Sequence, residues 1–118
     1  METFLAVYTG TTSARERSGW DSLDPAERSR LEQSGMQAWN EWMAANESCI
    51  AYAGGPVGKT KRVSRDGVQE VSNALVGFVV LQAESHEAAA ARFENHPHFA
   101  IFPGEAVEIM PCLPIPGG

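Results

Sequence analysis

Residues 75–81 read Leu-Val-Gly-Phe-Val-Val-Leu, and this almost uninterrupted apolar run decides the fold of the 118-residue chain. The run predicts a β-strand. Successive side chains of a strand point to opposite faces of the sheet, so a strand that is apolar at odd and even positions predicts a sheet buried on both faces. Residues 3–8, Thr-Phe-Leu-Ala-Val-Tyr, share this property and predict a second strand.

A long helix is predicted to begin at Asp24-Pro25-Ala26-Glu27. Asp24 supplies an N-cap side chain, Pro25 stands at the first helical position, where no N–H is needed, and Glu27 closes a capping box. Apolar residues then recur at spacings of three and four, which predicts one apolar face packed on the sheet. These residues are Leu31, Gly35, Ala38, Trp39, Trp42, Met43 and Ala45.

Between this helix and the apolar run, the sequence indicates a strand and a hairpin. Residues 49–53 predict a strand that ends at Gly54-Gly55-Pro56. Residues 60–64 and 68–72 are two β-capable runs on either side of Asp66-Gly67, and Asp-Gly in that position favours a tight hairpin turn.

The rest of the chain supplies a second helix and a last strand. A helix over residues 86–94 is predicted to end before Pro97, because a residue that precedes proline is pushed out of helical geometry. Residues 106–110 predict the final strand. Residues 11–23 are polar and predict a surface loop, and the proline-rich residues 111–118 predict an irregular tail.

The order of these elements, β, α, β, hairpin, β, α, β, is that of the split βαβ, ferredoxin-like plan. We therefore expect an α+β fold in one domain, residues 1–118, with an antiparallel sheet, an extra β-hairpin and two helices on one face. Because two helices cover only one face, the other apolar face predicts a sheet-to-sheet homodimer. The alternative is that the loop or the tail of the same chain folds across that face.

Composition and charge argue against several classes of function. The chain has 15 acidic and 9 basic side chains and a net charge of −6, so it offers no basic surface for nucleic acid. No stretch approaches the ~18 apolar residues of a membrane span, and the N-terminus lacks a secretory signal pattern. The two cysteines, Cys49 and Cys112, predict reduced thiols. We expect a cytoplasmic protein that binds neither nucleic acid nor membrane.

Several short motifs, taken in order, resemble the YCII-related family and its DGPF-type relatives. They are the Asp24–Glu27 helix start, Ala53-Gly54-Gly55-Pro56, Ser85-His86-Glu87-Ala88-Ala89, and His96-Pro97-His98 before the last strand. The resemblance spans most of the chain and implies a ferredoxin-like protomer that pairs into a dimeric α/β barrel. Some members carry a histidine in the first helix as part of a presumed catalytic pair, and here Ala38 lies near that position.

His96 and His98, on either side of Pro97, are the first choice for a functional site. Histidine titrates near neutral pH, so the pair could act as acid and base or hold a ligand carboxylate. The competing interpretation is structural, with His96 satisfying the C-terminal end of the preceding helix. Two imidazoles without a spaced third ligand do not make a metal site, and we expect neither a metal nor a cofactor.

Large aromatic residues on the helix and strands predict an apolar pocket between them for a flat organic ligand, although the same residues could form ordinary core. The leading hypothesis is a protein that binds an unknown small molecule, with the two histidines at the mouth of the pocket. The second is a cofactor-free enzyme that uses histidine acid/base chemistry on a hydrophobic aromatic or lactone-like substrate, with Tyr52 or Arg62 stabilising negative charge. The third is a regulatory or structural dimer. The predicted ligand-binding residues are Trp39, Trp42, Tyr52, Arg62 and Phe78.

Overall fold

The computed structural model describes residues 1–117 and has the α+β architecture expected from the sequence. The strands are β1 (Glu2–Thr9), β2 (Ile50–Pro56), β3 (Thr60–Ser64), β4 (Gly67–Val71), β5 (Leu75–Ala83) and β6 (Ala106–Pro111). The helices are α1 (Thr12–Ser18), α2 (Pro25–Ala45), α3 (His86–Ala91) and α4 (Pro97–Ala100), with single 3-10 turns at Trp20–Ser22 and Glu47–Cys49.

Strands β2, β5, β1 and β6 lie in this order in one antiparallel sheet. This strand order is that of the ferredoxin-like fold, in which each βαβ unit leaves room for one strand between its own two. Strands β3 and β4 form a separate hairpin, in which Val63 pairs with Val68 and the turn at Arg65 and Asp66 leads into Gly67 at φ 95°. The predicted α+β fold of the chain, including the extra hairpin, is confirmed.

Strand register explains why both faces of the sheet are apolar. Phe4 lies opposite Leu81 and Ala6 lies opposite Val79, and these four side chains face the helices in the buried core. Ala89 of α3 and Trp39 of α2, among others, pack against the same core, so these two helices cover one face as expected.

The opposite face of the sheet carries the alternate side chains. Leu5 lies opposite both Val80 of β5 and Met110 of β6, and Tyr52 of β2 lies opposite Val80. Tyr52 is 62% exposed and Met110 is 41% exposed. This surface is called the open face below.

The predicted start of the long helix at Asp24 and Pro25 is confirmed, but within residues 1–117 the Glu27 side chain makes no capping-box hydrogen bond. The Asp24 carboxylate accepts the N–H of Ala26 at 3.2 Å, and Pro25 is the first residue of α2. The helix then runs for 21 residues to Ala45, which brings Trp39 and Trp42 over the sheet.

The prediction of a surface loop over residues 11–23 was wrong. The Thr11 hydroxyl caps α1 by accepting the N–H of Ala14 at 3.1 Å, and Gly19 ends the helix in the left-handed region. Trp20 is buried and lies 6.0 Å from the Phe102 ring. The Trp20 contact with a residue far away in the sequence helps to hold this segment in place.

The second predicted helix is shorter than expected, and another follows it. Helix α3 ends at Ala91, and α4 begins at Pro97, so the expected limit of residue 94 was wrong. His96 is the N-cap of α4 rather than a cap on the end of α3, because its ring accepts the N–H of His98.

Gly35 of α2 allows a close approach by the segment that follows α4. A Cβ at position 35 would lie 2.5 Å from Cε2 of Phe102 and 3.1 Å from Cγ2 of Ile101. The Phe102 ring lies 6.2 Å from Trp39 and also contacts Trp20, so it has little room to move aside. The glycine therefore sets the distance between α2 and this segment.

Within residues 1–117, none of the helices is long and apolar enough to cross a membrane.

We expect Gly35→Ala to lower the free energy of unfolding by about 1–3 kcal/mol, because the added methyl group overpacks the contact with Phe102. In a Phe102→Ala background the same change should raise the free energy of unfolding by up to about 1 kcal/mol, because alanine is the better helix former. Urea unfolding of the four proteins of this cycle measures both effects. A change of the same sign in both backgrounds would contradict the proposed contact.

Candidate functional site

A pocket of about 420 Å³ lies between α2 and the end of the sheet where β5 and β2 pair. Helix α2 contributes Met36, Trp39 and Met43 to its walls, and the sheet contributes Tyr8 and Phe78. His98, Phe102, Val76, Gly77 and residues 53–56 complete the lining. The walls are therefore mostly apolar, with the side chains of Tyr8 and His98 as polar groups.

Glycines in β2 and β5 keep the pocket wall thin. Gly54 has φ 61°, and a Cβ there would collide with the main-chain carbonyl of Phe78. A Cβ at Gly77 would lie 3.3 Å from the Tyr8 ring and 3.2 Å from the carbonyl oxygen of Gly55. Strand β2 pairs irregularly with β5 over the same stretch, so larger residues here would disturb both the pairing and the pocket.

Behind the pocket, His96 is surrounded by aromatic rings. Ring centroids of Trp39, Trp42, Tyr8 and Phe93 lie between 4.6 and 5.8 Å from the imidazole centroid. The His96 side chain is 0% exposed, so bulk water does not reach it.

Hydrogen bonds determine which ring nitrogen of His96 carries a proton. Nδ1 accepts the main-chain N–H of His98 at 3.0 Å and is therefore unprotonated. A neutral imidazole then carries its proton on Nε2, which lies 3.5 Å from the phenol oxygen of Tyr8. His96 is consequently the donor in this long contact, and Tyr8 is the acceptor.

His98 is fixed by a different main-chain group. Its Nε2 lies 2.7 Å from the carbonyl oxygen of Thr9, which can only accept, so Nε2 carries the proton. Its Nδ1 has no hydrogen-bond partner within residues 1–117, and Arg28 Nε is the only fully buried side-chain nitrogen or oxygen in that range without one. Nδ1 of His98 is therefore an accessible lone pair on a side chain that lines the pocket.

Burial keeps the side chains of His96, His98 and Tyr8 neutral at pH 7. Burial, with a smaller effect from nearby His98, lowers the pKa of His96 to about 4. Burial also lowers the pKa of His98, and the hydrogen bond to Thr9 opposes that change. Burial raises the pKa of the Tyr8 phenol well above its usual value, so it keeps its proton.

The structure brings together three of the seven residues predicted for the site. Trp39, Phe78 and His98 line the pocket, whereas His96 lies behind it and not at its mouth. Trp42 packs on Phe93 with ring centroids 4.9 Å apart and donates its indole N–H to the Arg92 carbonyl at 2.7 Å.

The other two predicted ligand-binding residues lie elsewhere. The Tyr52 ring lies 5.8 Å from the Phe78 ring and points to the open face, and Arg62 is exposed on β3 of the hairpin. Neither side chain lines the pocket between α2 and the sheet.

Tyr8, Met36 and Met43 are among the pocket residues that were not predicted from the sequence. Tyr8 is in phase with Phe4 and Ala6 along β1, so alternation alone places it under the helices. Met36 and Met43 stand three residues before and four residues after Trp39, which puts them on the same helix face. The alternation along β1 and the helical spacing from Trp39 were therefore the sequence signals from which these three residues could have been predicted.

Among residues 1–117, no three His, Cys, Asp or Glu side chains come together in a way that could hold a metal ion.

Comparison with known proteins shows a likeness in fold to a solved structure. No model of a protein family matches the chain, and no curated protein matches it. The fold is similar to that of 5-chloro-2-hydroxyhydroquinone dehydrochlorinase (TftG) from Burkholderia phenoliruptrix AC1100, in complex with 2,5-dihydroxybenzoquinone. The match covers 92% of this chain and 90% of that chain, with a TM-score of 0.53 and 15% sequence identity. At this identity the likeness establishes the fold.

The depressed pKa of His96 predicts that stability falls in mild acid. Between pH 6.5 and about 4 the unfolded chain binds a proton at His96 that the folded chain does not, so the free energy of unfolding decreases as the pH falls. His96 alone should contribute a loss of roughly 3 kcal/mol by pH 4. Urea unfolding at several pH values between about 7 and about 4 measures this loss.

The matched variant for this measurement is His96→Asn. Asparagine keeps an acceptor for the N–H of His98 but cannot titrate. The free energy of unfolding should therefore depend less steeply on pH, with the remaining dependence contributed in part by His98. An unchanged slope would show that His96 is not the group responsible.

Proposed function

We propose that this protein binds a small, flat, mostly apolar aromatic compound in the pocket between α2 and the sheet. The observation that carries the proposal is the pocket itself, in which apolar walls of about 420 Å³ converge on the two polar side chains of Tyr8 and His98. Small-molecule sites commonly have this size and this combination of apolar lining with a few polar groups.

Electrostatics favour an uncharged ligand. His98 and His96 are neutral at pH 7, and Tyr8 keeps its proton, so none of the three offers a charge to an anion. The net charge of −6 also repels anions at long range. The aromatic walls made by Trp39 and Phe102 suit a flat ring, which can pack against their faces and edges.

The structural neighbour supports the same class of ligand. TftG was found in complex with 2,5-dihydroxybenzoquinone, a flat ring bearing carbonyl and hydroxyl oxygens. A ligand of that kind would place its ring among apolar side chains and its oxygens against hydrogen-bonding groups. We also propose that the chain is related to the YCII-related family, which its sequence motifs resemble. The alternative of a cofactor-free enzyme stays a prediction, and His98 is the only one of its two histidines that lines the pocket.

We expect Met36→Trp to weaken binding of aromatic ligands by at least about tenfold, equivalent to roughly 1.4 kcal/mol. Met36 lines the pocket and is 52% exposed, so a larger side chain at this position can fill the cavity without disturbing the core. Isothermal titration of aromatic ketones and phenols, identified first by thermal shift, measures the affinity.

Ser34→Trp is the matched control, because Ser34 is an exposed residue of α2 outside the pocket lining. It should leave the affinity unchanged. Equal affinities for Met36→Trp and the unmodified protein would place the binding site elsewhere, and no binding across a broad aromatic library would overturn the proposed function.

We also propose that a second copy of the chain covers the open face. Leu5, Val80, Met110 and Tyr52 form a continuous apolar surface there, and α2 and α3 lie on the other side of the sheet. Pairing of two such faces would bury both, in the symmetric arrangement that is commonest among homodimers.

Light scattering after size exclusion should therefore give twice the 12.8 kDa mass of the chain. The double change Tyr52→Arg, Met110→Arg should give the monomer mass, because each charge would be buried at the interface without a partner. Val68→Arg is the control, since Val68 is 65% exposed but lies in the separate hairpin. A monomer for the unmodified chain at high micromolar concentration would refute this arrangement.

A further inference from the structure

Tyr8 is the one phenol that lines the pocket, and its hydrogen-bonding role is determined by groups behind it. The N–H of His98 occupies Nδ1 of His96, so the proton of the neutral His96 ring must be on Nε2. That proton faces the phenol oxygen of Tyr8. If Tyr8 donated to His96 instead, both Nδ1 and Nε2 would need to accept, and a neutral imidazole has only one accepting nitrogen.

The phenol proton of Tyr8 is consequently free for another acceptor. Within residues 1–117 the Tyr8 oxygen has His96 as its only hydrogen-bond partner, and in that contact it accepts. The contact is long at 3.5 Å, which is common for catalytic and binding groups before a ligand tightens the arrangement. Tyr8, a residue of the pocket lining, therefore has a donor that no group within residues 1–117 accepts.

His98 presents the complementary group. Its Nε2 proton is held by the Thr9 carbonyl, so its Nδ1 is an acceptor. The rings of Tyr8 and His98 have centroids 5.2 Å apart, so one small ligand can reach both. These hydrogen bonds thus leave Tyr8 with a free donor and His98 with a free acceptor, on two neighbouring side chains that both line an otherwise apolar pocket.

We propose that Tyr8 donates a hydrogen bond to a carbonyl oxygen of the ligand while His98 accepts one from a hydroxyl group on the same ring. The ligand class is therefore an uncharged hydroxyaryl ketone, aldehyde or hydroxyquinone, and this inference rests on the proposed function. His96 is a positioning residue, because it acts on the ligand only through the orientation of the Tyr8 phenol.

Three probes of nearly equal size test the two hydrogen bonds in the unmodified protein. They are meta-hydroxyacetophenone, which carries both groups, meta-methoxyacetophenone, which has lost the hydroxyl donor, and meta-ethylphenol, which has lost the carbonyl acceptor. Titration calorimetry should show that the first binds about tenfold more tightly than either of the others, as expected for one hydrogen bond.

Tyr8→Phe removes the donor and keeps the ring. It should reduce the affinity for both acetophenones by about tenfold and leave that for ethylphenol unchanged, so ethylphenol serves as the internal control for an intact pocket. His96→Asn keeps the cap on α4 but cannot reach Tyr8, so it should reduce the preference for hydroxyacetophenone over ethylphenol. If the role of His96 were purely structural, His96→Asn would weaken the binding of hydroxyacetophenone and ethylphenol equally.

Nitrogen-15 NMR of the histidine rings tests the arrangement without any ligand. Both His96 and His98 should be in the neutral form with the proton on Nε2, and a proton on Nδ1 of His96 would overturn the inference. If hydroxyacetophenone and ethylphenol bind equally, or lose affinity equally in Tyr8→Phe, the inference is wrong while the proposed function stands. If none of the three binds, this ligand class is wrong, and the proposed function fails with it when the broad aromatic library also shows no binding.

Discussion

The Nδ1 atom of His96 accepts the main-chain N–H of His98 at 3.0 Å, and the arrangement of the site depends on this hydrogen bond. The bond starts α4, because it satisfies one of the free N–H groups at the helix N-terminus. It also fixes the protonated nitrogen of His96 and so the role of the Tyr8 phenol. One local contact therefore connects the path of the chain to the chemistry of the pocket.

This hydrogen bond is maintained because water does not compete for it. Trp39, Trp42 and Phe93 surround the His96 ring, and a charged imidazole in that setting would lose its hydration without gaining a counter-ion. The neutral form is thus the one that the fold can accommodate. The His96 side chain therefore both packs in the aromatic cluster and organises the polar contacts of the site.

Local signals in the sequence were enough for much of the fold. The cap and proline at Asp24-Pro25 located the start of α2, and the apolar run at residues 75–81 located β5, because both signals act within a few residues. Trp20 was misassigned to a loop because its partner, Phe102, is more than eighty positions away, whereas Tyr8 was overlooked although its alternation with Phe4 and Ala6 is a local signal. His96 and His98 were identified by residue type, but only the three-dimensional arrangement separates the buried ring from the one in the pocket.

The irregular pairing of β2 has a consequence for how the protein behaves in a crowded solution. Strand β2 is an edge strand, and an edge with regularly spaced N–H and C=O groups is a template on which other chains can add. The breaks in register on either side of Tyr52, the left-handed Gly54 and the missing N–H of Pro56 interrupt that template. The deformation that shapes the pocket wall thus also makes this edge a poor seed for aggregation.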